Sequence, residues 1–234
     1  MEPTAWSVLR QRWSETRSRK GIAGALGEIG ADIWEFLRES TPERKRRRYG
    51  DVEYDWDHHT DTTSATVSHH GRLLAAISGA PYQPTEPAIF REMIESLQID
   101  LAEFTFIDLG SGKGRTLLMA AEFPFRRIVG VELVRELHEV ARKNVAAGRD
   151  TRIDLVCGDA RDYEFPPGPI LLYLFNPLPS KALEGVIGRL RRSVESSSRP
   201  VRVIYHNPLS ERVLADSGFL RKVHGTEQFC VYSN

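Results

Sequence analysis

One short stretch of the sequence combines residue types that can bind a charged ligand. Asp108 ends a mainly apolar run at 104–107 and is followed by three glycines at alternate positions, Gly110, Gly112 and Gly114. Glycine accepts positive φ angles and lets a ligand approach the backbone closely. The apolar run at 117–121 predicts a helix whose first N–H groups face an anionic group above the turn. A strand, a glycine turn and a helix in this order indicate a nucleotide-type site.

Polar residues follow three further apolar runs in the same way. Glu132 comes after Asp108 at about the 20-residue spacing at which a βαβ unit places a carboxylate on ribose hydroxyls. The third run ends in Gly158, Asp159 and Ala160, and the fourth run ends at Asn176. Because the carboxyl ends of parallel strands meet at one edge of a sheet, we expect these residues to form one site.

These motifs resemble those of the class I, seven-strand S-adenosylmethionine-dependent methyltransferases. The G-x-G-x-G turn, with an acid two residues before it, is similar to motif I of that family and differs from the dinucleotide G-x-G-x-x-G. The resemblance implies that Asp108 faces the methionine end of S-adenosylmethionine, Glu132 the ribose, and Asp159 the adenine amino group. The implied cofactor site consists of Tyr82, Thr85, Asp108, Gly110, Ser111, Gly112, Gly114, Glu132, Leu133, Gly158, Asp159, Ala160 and Asn176.

The same resemblance implies an α/β fold: a Rossmann-like, doubly wound, seven-stranded and mostly parallel sheet with an antiparallel last strand. Apolar runs predict six strands near residues 104, 128, 153, 170, 201 and 228, and a seventh at 220–223. Apolar stripes at 134–147 and 179–194 predict helices between strands. We expect residues 1–79 to form an N-terminal helical extension and lid, and residues 80–234 to form the methyltransferase domain.

The candidate catalytic residue is Asn176, in the sequence Phe-Asn-Pro-Leu at the end of the fourth strand. It stands where amino-methylating members of the family carry an Asp/Asn-Pro-Pro-aromatic motif, whose amide oxygen accepts a hydrogen bond from the target NH. Leu178 and Pro179 depart from that motif, which argues against direct methylation of a base or glutamine. A nitrogen acceptor is predicted, and the alternative is that Asn-Pro only ends the strand. His206, after the fifth strand, is a candidate general base.

The glycine turn and the upstream Tyr-x-Pro-Thr segment also resemble the lysine-directed enzymes of the Dot1 and ATP-synthase-c-subunit type. The predicted activity is therefore methyl transfer to a nitrogen of a protein lysine or of a small-molecule amine. Three alternatives stay open: an oxygen acceptor, a non-catalytic cofactor-binding or scaffold protein of the same fold, and a nicotinamide oxidoreductase. The G-x-G-x-G spacing and the position of Asp159 argue against the oxidoreductase.

The N-terminal region contains two helical stripes followed by the basic run 44–48. We expect these helices to pack on the domain or on a second subunit; the alternatives are a membrane-surface anchor and nucleic-acid contact. Residues 51–70 are rich in Asp and His, but they lack the spacing of a metal site, so a polar lid is predicted and no metal.

The composition bounds the cellular context. The 32 basic and 32 acidic residues balance, so no whole-molecule field favours nucleic acid. The sequence has no apolar run long enough to span a membrane and no signal-peptide pattern, so a cytoplasmic protein is expected. The two cysteines, Cys157 and Cys230, lie in strand-like runs and are predicted to be buried and unpaired.

Overall fold

The structure, a computed structural model, describes residues 52–62, 84–175 and 178–234. The predicted N-terminal helices, the basic run 44–48, Tyr82 and Asn176 lie outside the described residues. The division of the chain into an extension at 1–79 and a domain at 80–234 stays a prediction.

The apolar runs identified in the sequence form one seven-stranded sheet in the order β3-β2-β1-β4-β5-β7-β6. The strands are β1 Thr105–Leu109, β2 Arg127–Glu132, β3 Ile153–Cys157, β4 Ile170–Leu174, β5 Val201–His206, β6 Arg221–Gly225 and β7 Phe229–Ser233. Strands β1 to β5 are parallel, whereas β7 is antiparallel to both of its neighbours, β5 and β6. The predicted Rossmann-like fold with an antiparallel last strand is confirmed.

The helices cover both faces of the sheet, which explains why the central strands β1 and β4 are apolar and buried along their whole length. The helices are α1 Val52–His58, α2 Pro87–Glu95, α3 Arg115–Ala121, α4 Arg135–Gly148, α5 Ser180–Ser196 and α6 Glu211–Ala215. A 3-10 turn, Leu101–Glu103, precedes β1. Within the described ranges, no helix is long and apolar enough to cross a membrane.

Two apolar cores lie on opposite faces of the sheet. On one face, Phe90 of α2 and Leu117 of α3 belong to a cluster with Phe106 of β1 and Tyr173 of β4. On the other face, α5 contributes Leu183, Val186, Ile187 and Leu190 to a second cluster. Side chains alternate along a strand, so Asp108 shares the first face with Phe106 and Tyr173.

The edges of the sheet differ from the centre. Strand β3 pairs only with β2 within the sheet order, and most of its side chains are partly or fully exposed. Cys157 at its end is exposed, so the prediction that it is a core residue is wrong, whereas Cys230 on β7 is buried as expected. A strand at an edge lacks the second neighbour and covering that bury the central strands, and sequence composition does not reveal this position.

Candidate active site

The glycine turn between β1 and α3 adopts backbone angles that favour glycine. Gly110, Gly112 and Gly114 have φ angles of 90°, 53° and 84°. Gly114 is also the residue that precedes the first turn of α3. A Cβ atom at this position would lie 3.3 Å from the Cβ of Ala141 on α4, so a side chain there would meet both backbone strain and crowding.

The backbone N–H groups of this turn form hydrogen bonds within the protein. The amides of Gly110 and Ser111 donate to the carbonyl oxygen of Val131 at 2.8 and 3.1 Å, and that of Gly114 donates to the Ser111 carbonyl at 2.8 Å. The Gly112 amide donates to Oε2 of Glu132 at 2.8 Å. These four amides of the turn therefore already have acceptors. The expectation that the first N–H groups of α3 face an anionic group stays a prediction.

Ser111 directs its side chain toward the sheet. A Cβ placed on Gly130 of β2 would lie 2.8 Å from the Ser111 oxygen and 2.4 Å from Cδ1 of Leu117. Gly130 thus leaves the space into which Ser111 and Leu117 pack. The predicted cofactor residue Ser111 is buried in the turn, and its hydroxyl has no hydrogen-bond partner in the described part of the chain.

Asp108 is a buried carboxylate at the end of β1. It accepts a hydrogen bond from the hydroxyl of Thr116 on α3, and no lysine or arginine of the described residues pairs with it. Burial raises the pKa of Asp108 to about 7, and the negative charge of Glu132 adds to this effect. A cationic ligand group at this position would supply the missing countercharge.

Glu132 is the second buried carboxylate, and it lies at the end of the neighbouring strand β2. Its Oε2 accepts from the Gly112 amide at 2.8 Å, and its Oε1 accepts from the Val134 amide at 2.7 Å. Burial raises the pKa of Glu132, whereas these hydrogen bonds from backbone amides oppose the rise. The carboxylate thus connects the glycine turn to the start of α4.

The predicted adenine end of the site lies beyond Glu132. The Gly158 amide donates to the carbonyl oxygen of Glu132 at 3.0 Å, which brings the β3 end against the β2 end. Ala160 is buried, whereas the Leu133 side chain is 56% exposed. Asp159 accepts from Nε of Arg161 at 2.9 and 3.0 Å, and this interaction lowers the pKa of Asp159. An exposed leucine beside the ends of β2 and β3 provides an apolar surface for a flat ring.

Behind the glycine turn lies a group of ion pairs, here called the acidic clasp, that the sequence analysis missed. Nζ of Lys113, which is 1% exposed, pairs at 2.9 Å with Asp61, which is 47% exposed. Arg115, which is 2% exposed, pairs through Nη2 at 3.3 Å with Asp55, which is 11% exposed. Cations at the start of a helix are unfavourable beside its dipole, so these acids from residues 52–62 compensate two buried charges of the turn.

Neutral groups complete the clasp. Nε of Arg115 donates to the Thr62 hydroxyl at 2.7 Å, and its guanidinium lies 4.7 Å from the ring centre of Tyr54 on α1. Asn144 of α4 donates through Nδ2 to the carbonyl oxygens of Asp61 and Lys113, each at 2.9 Å. The sequence signal that could have predicted the clasp is the contrast between the acids of residues 51–61 and the basic residues Lys113 and Arg115. This contrast does not indicate which acid pairs with which base.

A different set of polar groups lies at the ends of β4 and β5. The hydroxyls of Thr85 and Tyr173 are 2.7 Å apart, and the Tyr173 hydroxyl lies 3.0 Å from Nδ1 of His206. Phe175 packs on the His206 ring with 4.0 Å between ring centres. Burial lowers the pKa of His206 to about 4 and raises that of Tyr173 well above its usual value, so both side chains are neutral at pH 7. We call Thr85, Tyr173 and His206 the neutral chain.

The described part of the site thus brings together Asp108, the glycine turn, Glu132 and the β3 end, and it places Thr85 beside Tyr173. Tyr82 and Asn176 lie outside the described residues, so their predicted contacts stay predictions. Within the described ranges, no group of three or more potential ligands could hold a metal ion.

Comparison with known proteins places this site in a known type of domain. Residues 106–196, which run from β1 to the end of α5, match the family model described as a methyltransferase domain. A curated relative, the protein-lysine N-methyltransferase of Saccharolobus islandicus (strain REY15A), is 32% identical over 81 residues. That match covers 32% of this chain and 50% of the relative, so the chain spans about half the length of the curated relative it matches.

Two solved structures are also similar to this chain. An RNA methyltransferase from Salinibacter ruber, in complex with S-adenosyl-L-homocysteine, is 26% identical. The alignment covers 64% of this chain and 91% of that one, with a TM-score of 0.43. A precorrin-6y C5,15-methyltransferase from Geobacter metallireducens GS-15 is 15% identical over 64% and 88% of the two chains, with a TM-score of 0.49.

Residues 106–196 therefore match a methyltransferase domain, and they lie within the Rossmann-like fold described above. The matched segment contains both Asp108 and Glu132 and the glycine turn between β1 and α3. S-adenosylmethionine is the methyl donor that this family match implies. The resemblance stated from the sequence motifs is confirmed.

Proposed function

We propose that the whole protein is an S-adenosylmethionine-dependent methyltransferase that methylates a nitrogen atom. The acceptor that the observations favour is the side-chain amine of a protein lysine. The observation that carries the proposal is the pair of buried carboxylates, Asp108 and Glu132, at adjacent strand ends beside the glycine turn. The family match over residues 106–196 supports the same activity.

The charge of the site selects between cofactors. S-adenosylmethionine carries an ammonium and a sulfonium, both of which are attracted to buried carboxylates. The pyrophosphate of a nicotinamide dinucleotide would be repelled by Asp108 and Glu132. Such a pyrophosphate also needs free N–H groups, and four amides of the turn already have acceptors. These features support S-adenosylmethionine over the oxidoreductase alternative.

The described residues fit the cofactor in an order along the strand ends. We assign Asp108 to the ammonium, Glu132 to the ribose hydroxyls, and Leu133 with the segment Gly158, Asp159 and Ala160 to the adenine. Tyr82 is assigned to the methionine end, and the backbone of Gly110, Ser111, Gly112 and Gly114 to the wall beside it. Thr85, expected from the sequence to bind the cofactor, is assigned instead to Tyr173, because their hydroxyls are 2.7 Å apart. When bound, the cofactor supplies an electrophilic methyl group on sulfur, which an acceptor attacks with its lone pair.

The acceptor is proposed from two features. The curated relative is named a protein-lysine N-methyltransferase, and Asn176 stands where amide oxygens hold the target NH in amino-methylating relatives. The groups of the neutral chain, Tyr173 and His206, are also suited to an uncharged amine rather than to an anion. An oxygen acceptor and a non-catalytic cofactor-binding protein are the competing functions.

Calorimetric titration with S-adenosylmethionine, S-adenosylhomocysteine and NADH tests the cofactor assignment. We expect micromolar binding of the first two and none of NADH. Asp108→Asn should abolish this binding, whereas the matched control Asp154→Asn, on exposed edge strand β3, should leave it unchanged. Binding of NADH alone, or no binding by folded protein, would contradict the proposal.

Methyl transfer is then measured with a radiolabelled cofactor, separately into poly-L-lysine, into proteins of a cell extract, and into its small molecules. Label in poly-L-lysine or in protein lysines supports the acceptor assignment. Label in ester linkages identifies an oxygen acceptor instead. Cofactor binding without label in any fraction supports the non-catalytic alternative.

A further inference from the structure

The neutral chain lies where a second substrate would meet the cofactor. In an open α/β sheet, ligands bind at the carboxyl ends of the strands where the strand order reverses, and here that point is between β1 and β4. Asp108 and Tyr173 are direct partners across this pair of strands. His206 is two residues beyond Ile204, the β5 partner of Tyr173, and so lies on the same sheet face.

The hydrogen bonds of His206 leave one ring nitrogen for a ligand. Nδ1 lies 3.0 Å from the Tyr173 hydroxyl, and Nε2 has no hydrogen-bond partner among the residues that the structure describes. Phe175 packs against one face of the ring, with 4.0 Å between ring centres. A neutral imidazole has one donor and one acceptor nitrogen, so the bond at Nδ1 decides the role of Nε2.

The direction of the hydrogen bonds along the neutral chain decides whether Nε2 of His206 is a donor or an acceptor. If Nδ1–H donates to the oxygen of Tyr173, and Tyr173 donates to Thr85, then Nε2 carries a lone pair. A lone pair accepts a hydrogen bond from an N–H group. In the opposite polarity, Tyr173 donates to Nδ1 and Nε2–H is a donor, which suits an oxygen nucleophile.

We propose that His206 is a catalytic residue that orients the acceptor amine: its Nε2 lone pair accepts a hydrogen bond from the acceptor N–H, while Tyr173 acts as a positioning residue that holds the ring. This inference rests on the proposed function. In the transfer, the amine lone pair forms the new N–C bond, the C–S bond breaks, and its electron pair stays on sulfur. The acceptor ammonium loses one proton to water before the amine binds, and the methylated nitrogen leaves as an ammonium.

An orienting role differs from the general-base role expected for His206 from the sequence. Burial lowers the pKa of His206 to about 4, so a protonated imidazole would be a much stronger acid than an alkylammonium product and would not retain a proton taken from it. The titratable groups that face this region are Tyr173 of β4, which is neutral, and, beyond it, Asp108 of β1. The proposal therefore needs only a hydrogen bond from the amine to His206.

The test uses the full chain labelled with [15N]histidine and saturated with S-adenosylhomocysteine, with n-butylamine as a probe for a lysine side chain. Long-range 1H–15N correlation spectra, assigned with His206→Gln, report which ring nitrogen carries the proton. We expect the Nδ1–H form and a saturable shift of the Nε2 signal on adding n-butylamine. The signal of His224, on exposed strand β6, is the internal control and should not move.

Variants separate positioning from folding. Tyr173→Phe should keep S-adenosylhomocysteine affinity within about threefold but weaken n-butylamine binding about tenfold, since one hydrogen bond that fixes the ring is lost. His224→Gln should change neither affinity. An Nε2–H form, or an Nε2 signal that ignores n-butylamine while S-adenosylhomocysteine binds, would overturn the role of His206. Failure of S-adenosylhomocysteine to bind would instead overturn the proposed function, and this assignment with it.

Discussion

At the carboxyl ends of β1 and β2 the buried polar groups are two carboxylates, whereas at the ends of β4 and β5 they are a phenol and an imidazole. Burial raises the pKa of Asp108 and Glu132 and lowers that of His206. The first pair of strands therefore suits a cationic cofactor, and the second suits an uncharged nucleophile. Under the proposed function, the carboxyl ends of neighbouring strands would bind two reactants with different charge requirements.

The two carboxylates also differ from each other. Glu132 accepts hydrogen bonds from two backbone amides, which stabilise its ionised form, whereas Asp108 has the hydroxyl of Thr116. The pKa of Asp108 consequently rises to about 7. A bound cation would therefore stabilise the ionised form of Asp108 more than that of Glu132. Glu132 instead connects the glycine turn to the start of α4.

Asp108→Asn is expected to have the largest effect on binding. Removing one partner of a buried charge pair costs about 3 kcal/mol or more, so S-adenosylmethionine affinity should fall at least about 100-fold. The same change should stabilise the free protein at pH 8 by an amount on the order of 1 to 3 kcal/mol, because an ionised carboxylate is no longer buried. Calorimetry and thermal unfolding measure the two effects. Unchanged affinity would remove Asp108 from the site.

The two ion pairs of the acidic clasp should contribute unequally to the free energy of unfolding. Asp55→Asn removes the ion pair that the buried guanidinium of Arg115 forms with Asp55, and we expect a loss of about 3 kcal/mol in unfolding free energy. Asp61→Asn removes a half-exposed partner of Lys113 and should cost at most about 1 kcal/mol. Urea denaturation measures both, with Asp57→Asn on the exposed side of α1 as control. Equal losses would show that burial does not control these pairs.

Much of the β1 and β2 region could be predicted from the sequence because its signals are local. Asp108 and the glycines are neighbours in the chain, and Glu132 follows at the length of one helix and one strand. The clasp could not be predicted, since Asp55 and Arg115 are far apart in sequence and many Asp–Arg pairings fit the same charges. Likewise, Thr85, Tyr173 and His206 come from three separate segments, and only the strand register brings them together.

The pH dependence of unfolding sharpens the contrast between Asp108 and His206. The pKa of Asp108 rises from 3.8 to about 7 on folding, so its stabilisation is complete below pH 3.8 and is lost as pH rises to 7. The pKa of His206 falls from 6.5 to about 4, so its contribution to stability falls as pH drops below 6.5. These opposite slopes partly cancel in the wild-type protein.

Comparing two proteins separates these slopes. Asp108→Asn removes the opposing slope from Asp108, so its unfolding free energy relative to that of the wild type should rise from pH 4.5 to 6.5. Above pH 7 the difference between the two proteins should become constant. Urea denaturation at intervals between pH 4.5 and 8 measures this difference. Identical profiles would mean that Asp108 titrates as an ordinary carboxyl.

The smallest effect is expected at Thr85, which lies in the segment just before α2 and contacts Tyr173 of β4. Thr85→Val keeps the shape but removes the hydrogen bond to Tyr173, at a cost of about 1 kcal/mol in unfolding free energy. Because the Thr85 hydroxyl is committed to Tyr173, S-adenosylhomocysteine affinity should change by less than about threefold, while n-butylamine binding weakens as the polarity of the neutral chain is no longer fixed. A loss of cofactor affinity as large as that of Asp108→Asn would instead mean that Thr85 binds the cofactor directly, and the neutral chain would then belong to the cofactor site rather than to the acceptor site.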